Sequence, residues 1–378
     1  MAYKYEHLIP QNTAPKGAKS IGVYDGNGKK VCSIPLGGMT PPTKEKLYSF
    51  GLVSDIHLWH LTPADWNPNP KFDNALTYFE SQGCAFCLVC GDITESGFYV
   101  DKIVDKKPVI TDGYTETVYD ESQFAVLANL CKAHDIPVYL LCGNHENYGY
   151  DHDNKTLRSI TTNLKKFAEY TPNTPKDENG NGSLSYTISS GAETEKNKQV
   201  TAIGNDVFIM CGQPSYNKVM SDTDFEWLKT TLKANKNKRC FVLVHSYIEE
   251  DSGDALDLRE NSIFQTWGVS NTKAFMELLA EYPNAILFHG HSHITFEHQE
   301  MDRNANYTEI NGFKSIHIPS LSKPRVVVGN DTPFDYSKSQ GYIVDVYDDC
   351  VVLNGMDLIN NKPVPIGTYK IDTTSQTI

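Results

Sequence analysis

The stretch YSFGLVSDIH, residues 48–57, places an apolar run directly before an aspartate and a histidine. The run has the length and apolar content of a buried β-strand, and Asp55 and His57 follow where that strand would end. The arrangement recurs later in the chain, where CLVC precedes Gly-Asp92 and LLC precedes GNHE at 143–146. Polar residues at the ends of apolar strands are therefore the feature around which the sequence is organised.

Apolar runs alternate with segments of helical periodicity along most of the chain. The predicted strands cover residues 48–54, 85–90, 138–142, 207–212, 240–244 and 285–288. The predicted helices lie between them and carry apolar residues at helical spacing from Phe72, Phe124, Phe225 and Phe275. Thr223, three residues before Glu226, predicts a capping box at the start of the third helix. Strands that alternate with helices predict an α/β fold.

The two ends of the chain have a different pattern. Residues 1–46 contain IGVYDGNGKKVCSIPL, in which a DGNG turn between two alternating runs predicts a β-hairpin. We interpret residues 1–46 as an N-terminal extension and residues 47–378 as the main domain. After residue 312, the runs KSIHIP, RVVVG, GYIVDVY and CVVLN predict further strands that complete or back a second sheet.

Composition limits the classes of function. The chain has 378 residues and a formal net charge of −13, which disfavours broad binding to nucleic-acid backbones. No stretch has the roughly 18 consecutive apolar residues of a membrane span, and the N-terminus lacks the apolar region of a secretory signal. Several of the nine cysteines lie inside apolar runs, as expected for buried thiols. These features predict a cytoplasmic protein without a membrane span.

Five predicted strand ends carry side chains that can bind metal ions. In open α/β sheets, ligands bind beyond the carboxyl ends of the strands, so these side chains are expected to meet at one edge. Each residue taken singly has an ordinary alternative, because an aspartate can cap a helix, an asparagine can sit in a turn and a histidine can belong to the core. The residues are Asp55 and His57, Asp92, Asn144 and His145, His245, and His291 and His293.

The types of donor indicate transition metals. Carboxylate and amide oxygens mixed with imidazole nitrogens suit Mn, Fe, Zn or Ni better than calcium. His291 and His293 are separated by one serine, so in an extended segment their side chains point the same way. Even seven of these eight side chains are more donors than one ion needs, and pairs of metal ions recur in phosphate-ester chemistry.

The series DIH, GD, GNHE, H and GHSH resembles the calcineurin-like metallophosphoesterase superfamily over residues 47–355. The resemblance implies a four-layer α/β/β/α sandwich of two mixed sheets flanked by helices. It also implies two divalent or mixed-valence ions of Mn, Fe or Zn. Their ligands would be Asp55, His57, Asp92 and His293 for one ion, and Asp92, Asn144, His245 and His291 for the other, with Asp92 as the bridge.

The same resemblance implies a reaction. His145 would act on the phosphate as general acid or as a stabiliser of the transition state, with the alternative that it only orients Asn144. The expected function is hydrolysis of a small phosphate ester by a metal-bridging hydroxide, with a phosphodiester favoured. The alternatives are a phosphomonoesterase with the same centre and a non-catalytic scaffold that keeps the metal site for binding a partner.

Residue 95 departs from two branches of the superfamily. Protein serine/threonine phosphatases resemble GDxxDRG after the second block, whereas this chain has Glu95 and Ser96 in place of the aspartate and arginine. Purple acid phosphatases have a tyrosine where Glu95 stands. The pattern weakly favours the branch similar to cyclic-nucleotide phosphodiesterases. Substrate selectivity is expected from the loops 58–70, 95–118, 147–155 and 247–268.

Overall fold

The computed structural model describes a large part of the chain. The described segments are 44–59, 67–95, 122–147, 173–193, 203–215, 219–247, 272–298, 306–310, 312–328 and 331–373, with shorter pieces elsewhere.

Among the described residues, the N-terminal strand pair and the two large sheets comprise fifteen strands, and four α-helices accompany them. In chain order the strands are β1 (Ser20–Tyr24), β2 (Lys30–Pro35), β3 (Lys46–Val53), β4 (Cys87–Cys90), β5 (Val138–Leu141), β6 (Ser185–Ile188), β7 (Val207–Cys211), β8 (Cys240–Val244), β9 (Ala285–His289), β10 (Tyr307–Ile310), β11 (Phe313–His317), β12 (Gln340–Tyr347), β13 (Cys350–Asp357), β14 (Lys362–Pro363) and β15 (Tyr369–Asp372). The helices are α1 (Pro68–Ser81), α2 (Ser122–Ala133), α3 (Asp222–Ala234) and α4 (Thr272–Ala280).

Two mixed sheets contain most of these strands. The first has the order β5-β4-β3-β12-β13-β14, with β15 also paired to β13. Its strands β3, β4 and β5 are parallel to one another, whereas β12 is antiparallel to both of its neighbours, β3 and β13. The second has the order β6-β7-β8-β9-β11-β10, in which β7, β8, β9 and β11 are parallel and the two edge strands are antiparallel.

The inner faces of the two sheets pack against each other through aromatic side chains. Phe50 of the first sheet meets Phe208 of the second edge-on, with ring centroids 5.2 Å apart. Phe208 stacks on Phe241 at 4.7 Å, and all three rings are fully buried. Alternate residues along each strand point to this layer because side chains in a strand alternate between faces. The contact between the sheets is therefore the centre of the hydrophobic core.

The outer faces are covered by helices. Val53 and Val89 of the first sheet pack with Phe72 of α1 and Phe124 of α2. On the second sheet, Val242 packs in a cluster that contains residues of α3 and α4. The layers follow the order helix, sheet, sheet, helix, and the expected α/β sandwich of two mixed sheets is confirmed.

One predicted helix cap and one predicted late strand differ from the structure. The cap of α3 is Ser221, whose side chain accepts a hydrogen bond from the Asp224 amide in a capping box. The predicted cap, Thr223, is wrong because it already lies in the first turn. RVVVG, beginning at Arg325, is not a strand but makes isolated bridges, and prolines at 324 and 333 limit its pairing.

The other late runs form strands in both sheets. β11 joins the second sheet as expected, whereas β12 and β13 extend the first sheet. At the N-terminus, β1 and β2 pair antiparallel, as the DGNG turn predicts. The division between residues 1–46 and 47–378 stays a prediction. No helix among the described residues is long and apolar enough to cross a membrane.

Short antiparallel strand pairs occur outside the two sheets, and the first four of them lie in or directly beside the predicted loops 95–118 and 147–155. The pairs are Tyr99–Asp101 with Thr117–Tyr119, Ile103–Val104 with Lys107–Pro108, Ile110–Thr111 with Tyr114–Thr115, Tyr150–Asp151 with Thr156–Leu157, and Ala192–Glu193 with Gln199–Val200. Two single-turn 3₁₀ helices complete the described elements, at His145–Asn147 and Pro365–Gly367.

Candidate metal centre

The polar residues at five strand ends meet at one edge of the sandwich. Backbone hydrogen bonds continue beyond the strands and bring the loops together. The amide of His57, after β3, donates to the Asp92 carbonyl after β4 at 3.0 Å. The amide of Gly290, after β9, donates to the carbonyl of His245, after β8, at 2.9 Å. The predicted convergence of these strand ends is present in the structure.

One group of ligand-type side chains contains Asp55, His57, Asp92 and His293. Asp55 Oδ1 lies 3.0 Å from His293 Nε2, and the Nε2 atoms of His57 and His293 lie 3.2 Å apart. Asp92 Oδ2 is 3.9 Å from His57 Nε2. Adjacent ligands of one ion with bonds of about 2.1 Å are roughly 2.9–3.4 Å apart, so the closest pairs have the spacing of a shared ion.

A second group contains Asp92, His245 and His291, and Asn144 lies beside it. His245 Nε2 is 3.2 Å from Asp92 Oδ1, from Asn144 Oδ1 and from His291 Nδ1. Asp92 is the residue common to both groups, and its two carboxylate oxygens face different histidines. The seven side chains therefore lie in two groups that match the sets implied by the family resemblance, and their roles as ligands stay a prediction.

The tautomers of three histidines point to cations between these groups. His57 Nδ1 lies 2.9 Å from Glu95 Oε2, His293 Nδ1 lies 2.9 Å from the Lys323 carbonyl, and His245 Nδ1 lies 2.8 Å from the Cys90 carbonyl. These acceptors assign the ring proton to Nδ1 in each case. The Nε2 lone pairs therefore face carboxylate oxygens and one another, an arrangement that repels without a cation.

Charges in the cluster show the same demand for a cation. Burial alone raises the pKa of Asp55, but His293 and His245 outweigh burial and hold that pKa below its usual range. Burial lowers the pKa of His245, yet Asp92 and Asp55 raise it to about 10, so without a metal a proton on Nε2 takes the place of the cation and would leave when an ion binds. Burial, together with the charge of His245, lowers the pKa of His291 to about 3, so this ring is neutral. Neutral imidazoles and carboxylates are the forms that bind metals.

The backbone is strained at the predicted ligands. Among the described residues, seven non-glycine residues have positive φ, and five of them belong to the two groups. They are Asp55 (54°), His57 (45°), Asp92 (46°), His291 (71°) and His293 (64°). Such conformations cost about 1–3 kcal/mol each and persist where the surroundings hold them, often at functional sites.

Glycines beside the ligands allow close approach between the loops. A β-carbon at Gly290 would overlap the Ser54 hydroxyl and crowd the Asp55 carboxylate. A β-carbon at Gly143 would overlap Asp92. The glycine at 290 is required for space rather than for a left-handed backbone.

The comparisons with known proteins agree with this geometry. The family model for calcineurin-like phosphoesterases matches residues 48–295. The chain belongs to the calcineurin-like phosphoesterase family. This phosphoesterase is therefore a metal-dependent hydrolase of phosphoric esters, and the ligand groups together with the family support a dimetal centre.

Solved structures share the fold of the phosphoesterase at low sequence identity. A dimetal phosphatase from Danio rerio is 11% identical with a TM-score of 0.53, and the match covers 87% of this chain and 100% of that one. A purple acid phosphatase from yellow lupin (Lupinus luteus) seeds is 12% identical with a TM-score of 0.54, covering 86% of this chain and 53% of that one. No curated protein in the comparison matches the chain significantly.

His145 of the phosphoesterase lies beside the cluster. Its Nδ1 lies 2.5 Å from the Glu95 carbonyl, and its Nε2 lies 3.8 Å from Asp92 Oδ2. Its backbone amide donates to Asp92 Oδ1 at 2.9 Å. The side chain is 17% exposed, whereas that of Asp92 is 1% exposed. His145 therefore presents one ring nitrogen toward the centre from its accessible side.

Glu95 has a role that the sequence did not predict. Its carboxylate contacts His57 Nδ1 and accepts hydrogen bonds from Lys323 Nζ at 2.6 Å to each oxygen. Burial raises the pKa of Glu95, but the contact with His57, together with His145 and Lys323, lowers it to about 2. His57, Glu95 and His145 also form a third group of ligand-type atoms. Because Glu95 is already paired with Lys323, we interpret it as the residue that orients His57.

Two further residues support the loops that carry the ligands. Glu146 is buried and accepts hydrogen bonds from the amides of Thr94 at 2.9 Å and Gly143 at 2.6 Å. It thereby ties the loop after β4 to the loop after β5. The sequence did not predict the contact of Lys323 with Glu95, because 228 positions separate the two residues. The predicted selectivity loops 58–70, 95–118, 147–155 and 247–268 lie largely outside the described residues.

Proposed function

We propose that the protein hydrolyses a small phosphodiester with two metal ions. One ion would be held by Asp55, His57, Asp92 and His293, and the other by Asp92, Asn144, His245 and His291. Asp92 would be shared by the two ions, and Mn, Fe or Zn suits this mixture of donors.

The observation that favours a diester is the pairing of Lys323. Its ammonium group lies close to the centre but is bound by both oxygens of Glu95 at 2.6 Å. Glu95 stands one position before the site of the phosphate-binding arginine in the related protein phosphatases. The charge of Lys323 is therefore already compensated, whereas a dianionic monoester would require more free positive charge than a monoanionic diester.

The side chains divide the chemistry between them. When bound, the two cations supply Lewis acidity toward the phosphoryl oxygens and lower the pKa of water. The Nδ1 contacts of His57, His245 and His293 fix their rings so that Nε2 faces the centre. His145 keeps Nδ1 against the Glu95 carbonyl and can give a proton from Nε2 to the leaving oxygen. Water is the nucleophile, and no covalent enzyme intermediate is needed.

A comparison of two nitrophenyl esters tests this function. We expect the protein loaded with Mn²⁺, Fe²⁺ or Zn²⁺ to release nitrophenol faster from bis-p-nitrophenyl phosphate than from p-nitrophenyl phosphate, and we expect a chelator to abolish both rates. Faster hydrolysis of the monoester would indicate a phosphomonoesterase instead of a phosphodiesterase. No turnover of either ester, or of cyclic nucleotides, with any of the metals would instead support a non-catalytic scaffold.

We also propose that the protein works in a reducing compartment such as the cytoplasm. Eight cysteines are described, and all are buried free thiols. Reduced, buried cysteines are typical of proteins from such compartments.

A further inference from the structure

Residues 324–328 and 331–336 form two antiparallel arms at the edge of the metal centre, which together we call the rim hairpin. Arg325 and Phe334 face each other in an antiparallel bridge. The amide of Val326 donates to the Pro333 carbonyl at 3.1 Å, and the amide of Asp335 donates to the Pro324 carbonyl at 2.7 Å. This pairing places the two arms of the rim hairpin side by side.

The rim hairpin is bonded directly to the segment that carries His293. The amide of Arg325 donates to the His293 carbonyl at 2.8 Å, and the amide of Thr295 donates to the Arg325 carbonyl at 3.0 Å. The ring centroid of Phe334 lies 6.0 Å from that of His293. An aromatic side chain therefore stands next to one of the predicted ligands.

Phe334 remains exposed in spite of three neighbours. The Arg325 guanidinium lies 4.2 Å from the ring centroid, and Tyr336 stacks at 5.6 Å with an angle of 17° between the rings. The ring is nevertheless 37% exposed. Its exposed surface adjoins the predicted ligand His293, and ligand sites are lined mostly by apolar and aromatic side chains around a few polar groups.

A buried lysine holds the rim hairpin in place. Lys71 of α1 donates from Nζ to the carbonyls of Ser322 at 3.0 Å, Tyr336 at 2.9 Å and Lys338 at 2.9 Å. Three acceptors match the three donors of an ammonium group. Both ends of the hairpin are thereby tied to the helical layer, so its aromatic pair is ordered before a ligand arrives, which lowers the entropic cost of binding.

We propose that Phe334, with Tyr336 behind it, is a platform that receives an aromatic group of the phosphate ester. This inference rests on the proposed function, because the phosphate would bind at the centre beside His293. Arg325 and Tyr336 already lie over the Phe334 ring. An aromatic group of the ester would therefore meet the exposed edge of Phe334, and edge-to-face contact favours a ring over an alkyl group. Phe334 would therefore determine specificity without contacting the reacting atoms.

Two phosphonates that are not hydrolysed test the platform. Binding of phenylphosphonate and methylphosphonate to the metal-loaded protein is measured by calorimetry. We expect the wild type to prefer phenylphosphonate, and we expect Phe334→Ala to weaken its binding about 3- to 10-fold while changing methylphosphonate binding less than about 2-fold. Phe334→Trp should keep the preference, because it restores an aromatic face.

The controls separate this inference from folding defects and from the proposed function. Ile359→Ala removes a similarly exposed apolar side chain, 41% exposed, in the turn between β13 and β14, and should leave both affinities unchanged. The platform would be overturned if the wild type bound both phosphonates equally or bound neither. It would also be overturned if Phe334→Ala lost affinity for both probes equally, or if that variant changed only its oligomeric state. Turnover of the nitrophenyl esters in the same preparations reports on the proposed function independently.

Discussion

Both ring nitrogens of His57 make contacts at this centre. Nε2 lies 3.2 Å from His293 Nε2 inside the cluster, while Nδ1 lies 2.9 Å from Glu95. Burial, together with the charges of Lys323 and His145, lowers the pKa of His57 to about 3, so the ring is neutral at physiological pH. The orientation of a ligand thus depends on a carboxylate that is not itself in the two predicted ligand sets.

Asp92 and His145 are predicted to fail in different ways. Replacing Asp92 by Asn removes the carboxylate shared by both groups, so we expect loss of both metal ions and of turnover. Replacing His145 by Ala removes the proposed proton donor, and we expect turnover to fall about 10²- to 10⁴-fold with the metals retained. Elemental analysis and initial rates measure both variants. Equal metal loss in the two would contradict this division of roles.

Glu95 provides a test of ligand orientation. Glu95→Gln weakens the contacts to His57 and leaves the Lys323 charge without its carboxylate, so we expect metal affinity or turnover to fall about 10- to 100-fold. A metal titration followed by activity measures the effect. Glu226→Gln is the matched control, because it breaks an exposed pair with Lys229. Wild-type affinity and turnover in Glu95→Gln would show that His57 is oriented without this carboxylate.

At the scale of elements, the centre depends on how closely the strand ends approach. The loops after β3, β4, β8 and β9 are joined by backbone hydrogen bonds beyond the sheets. Glycines stand where a side chain would separate these loops, as at Gly91, where a β-carbon would overlap His245. The strands supply the positions of the ligands, and the glycines set the distances between them.

Gly290→Ala is predicted to disturb the metal groups through the approach of β9 to β3. The added methyl group would overlap the Ser54 hydroxyl and push on Asp55. We expect a loss of stability of about 1–3 kcal/mol and weaker metal binding. Thermal unfolding and elemental analysis measure the two effects. Gly204→Ala, with positive φ and no atom within 4 Å, should lose stability but keep its metals; equal metal content in the two variants would argue against the steric cause.

His134 is predicted to make the contact between α1 and α2 depend on pH. It follows α2, and its ring nitrogens lie 3.0 Å from Glu80 and 2.9 Å from Asp73, both in α1. Burial lowers the pKa of His134, but hydrogen bonds to Glu80 and Asp73 outweigh burial and raise it. A raised pKa stabilises the fold fully below the unfolded pKa of about 6.5, and this stability is lost as pH rises through the folded pKa.

The matching experiment compares thermal midpoints of the wild type and His134→Gln. We expect the variant to be less stable than the wild type at about pH 5.5, and we expect this difference to shrink at about pH 9, because the wild-type histidine is then neutral. A difference of the same size at both pH values would show that packing, not charge, holds the two helices together.

At the scale of the whole molecule, two sheets with separate outer layers share one reactive edge. Asp55, His57 and Asp92 come from the first sheet, whereas His245 and His293 come from the second. The rings of Phe50 and Phe208 hold the sheets in contact beneath this edge. The metal groups are therefore a second connection between the two halves of the sandwich.

Removal of metal is predicted to destabilise the whole fold. Asp55 and Asp92 are buried carboxylates at 0% and 1% exposure, so their charge needs a cation nearby. We expect the thermal midpoint to fall on chelation and to recover with added Mn²⁺, with a stabilisation of about 2.7 kcal/mol at 100 times the dissociation constant. Asp92→Asn should respond little to Mn²⁺. An unchanged midpoint on chelation would show that the sheets do not need the centre for stability.

The sequence by itself determined the α/β class and the polar residues at the strand ends, whereas the two ligand sets stay a prediction from the family resemblance. These were accessible because an apolar run followed by a polar residue is a local pattern, and because parallel strands bring their carboxyl ends to one edge. The family motifs, carried by the same local blocks, indicated the reaction. The start of α3 was missed by two residues because Ser221 and Thr223 are both acceptable caps and only packing chooses between them.

Only the tertiary structure decided what surrounds the ligands. Glu95 follows β4 of the first sheet, and Lys323, 228 positions later, follows β11 of the second sheet. The two residues meet because the ends of these strands face the same edge. RVVVG has the composition of a strand, yet its hydrogen bonds go to the segment of His293 and to the second half of the rim hairpin. Such contacts arise from distant chain segments that fold into one edge, so no local pattern in the sequence records them.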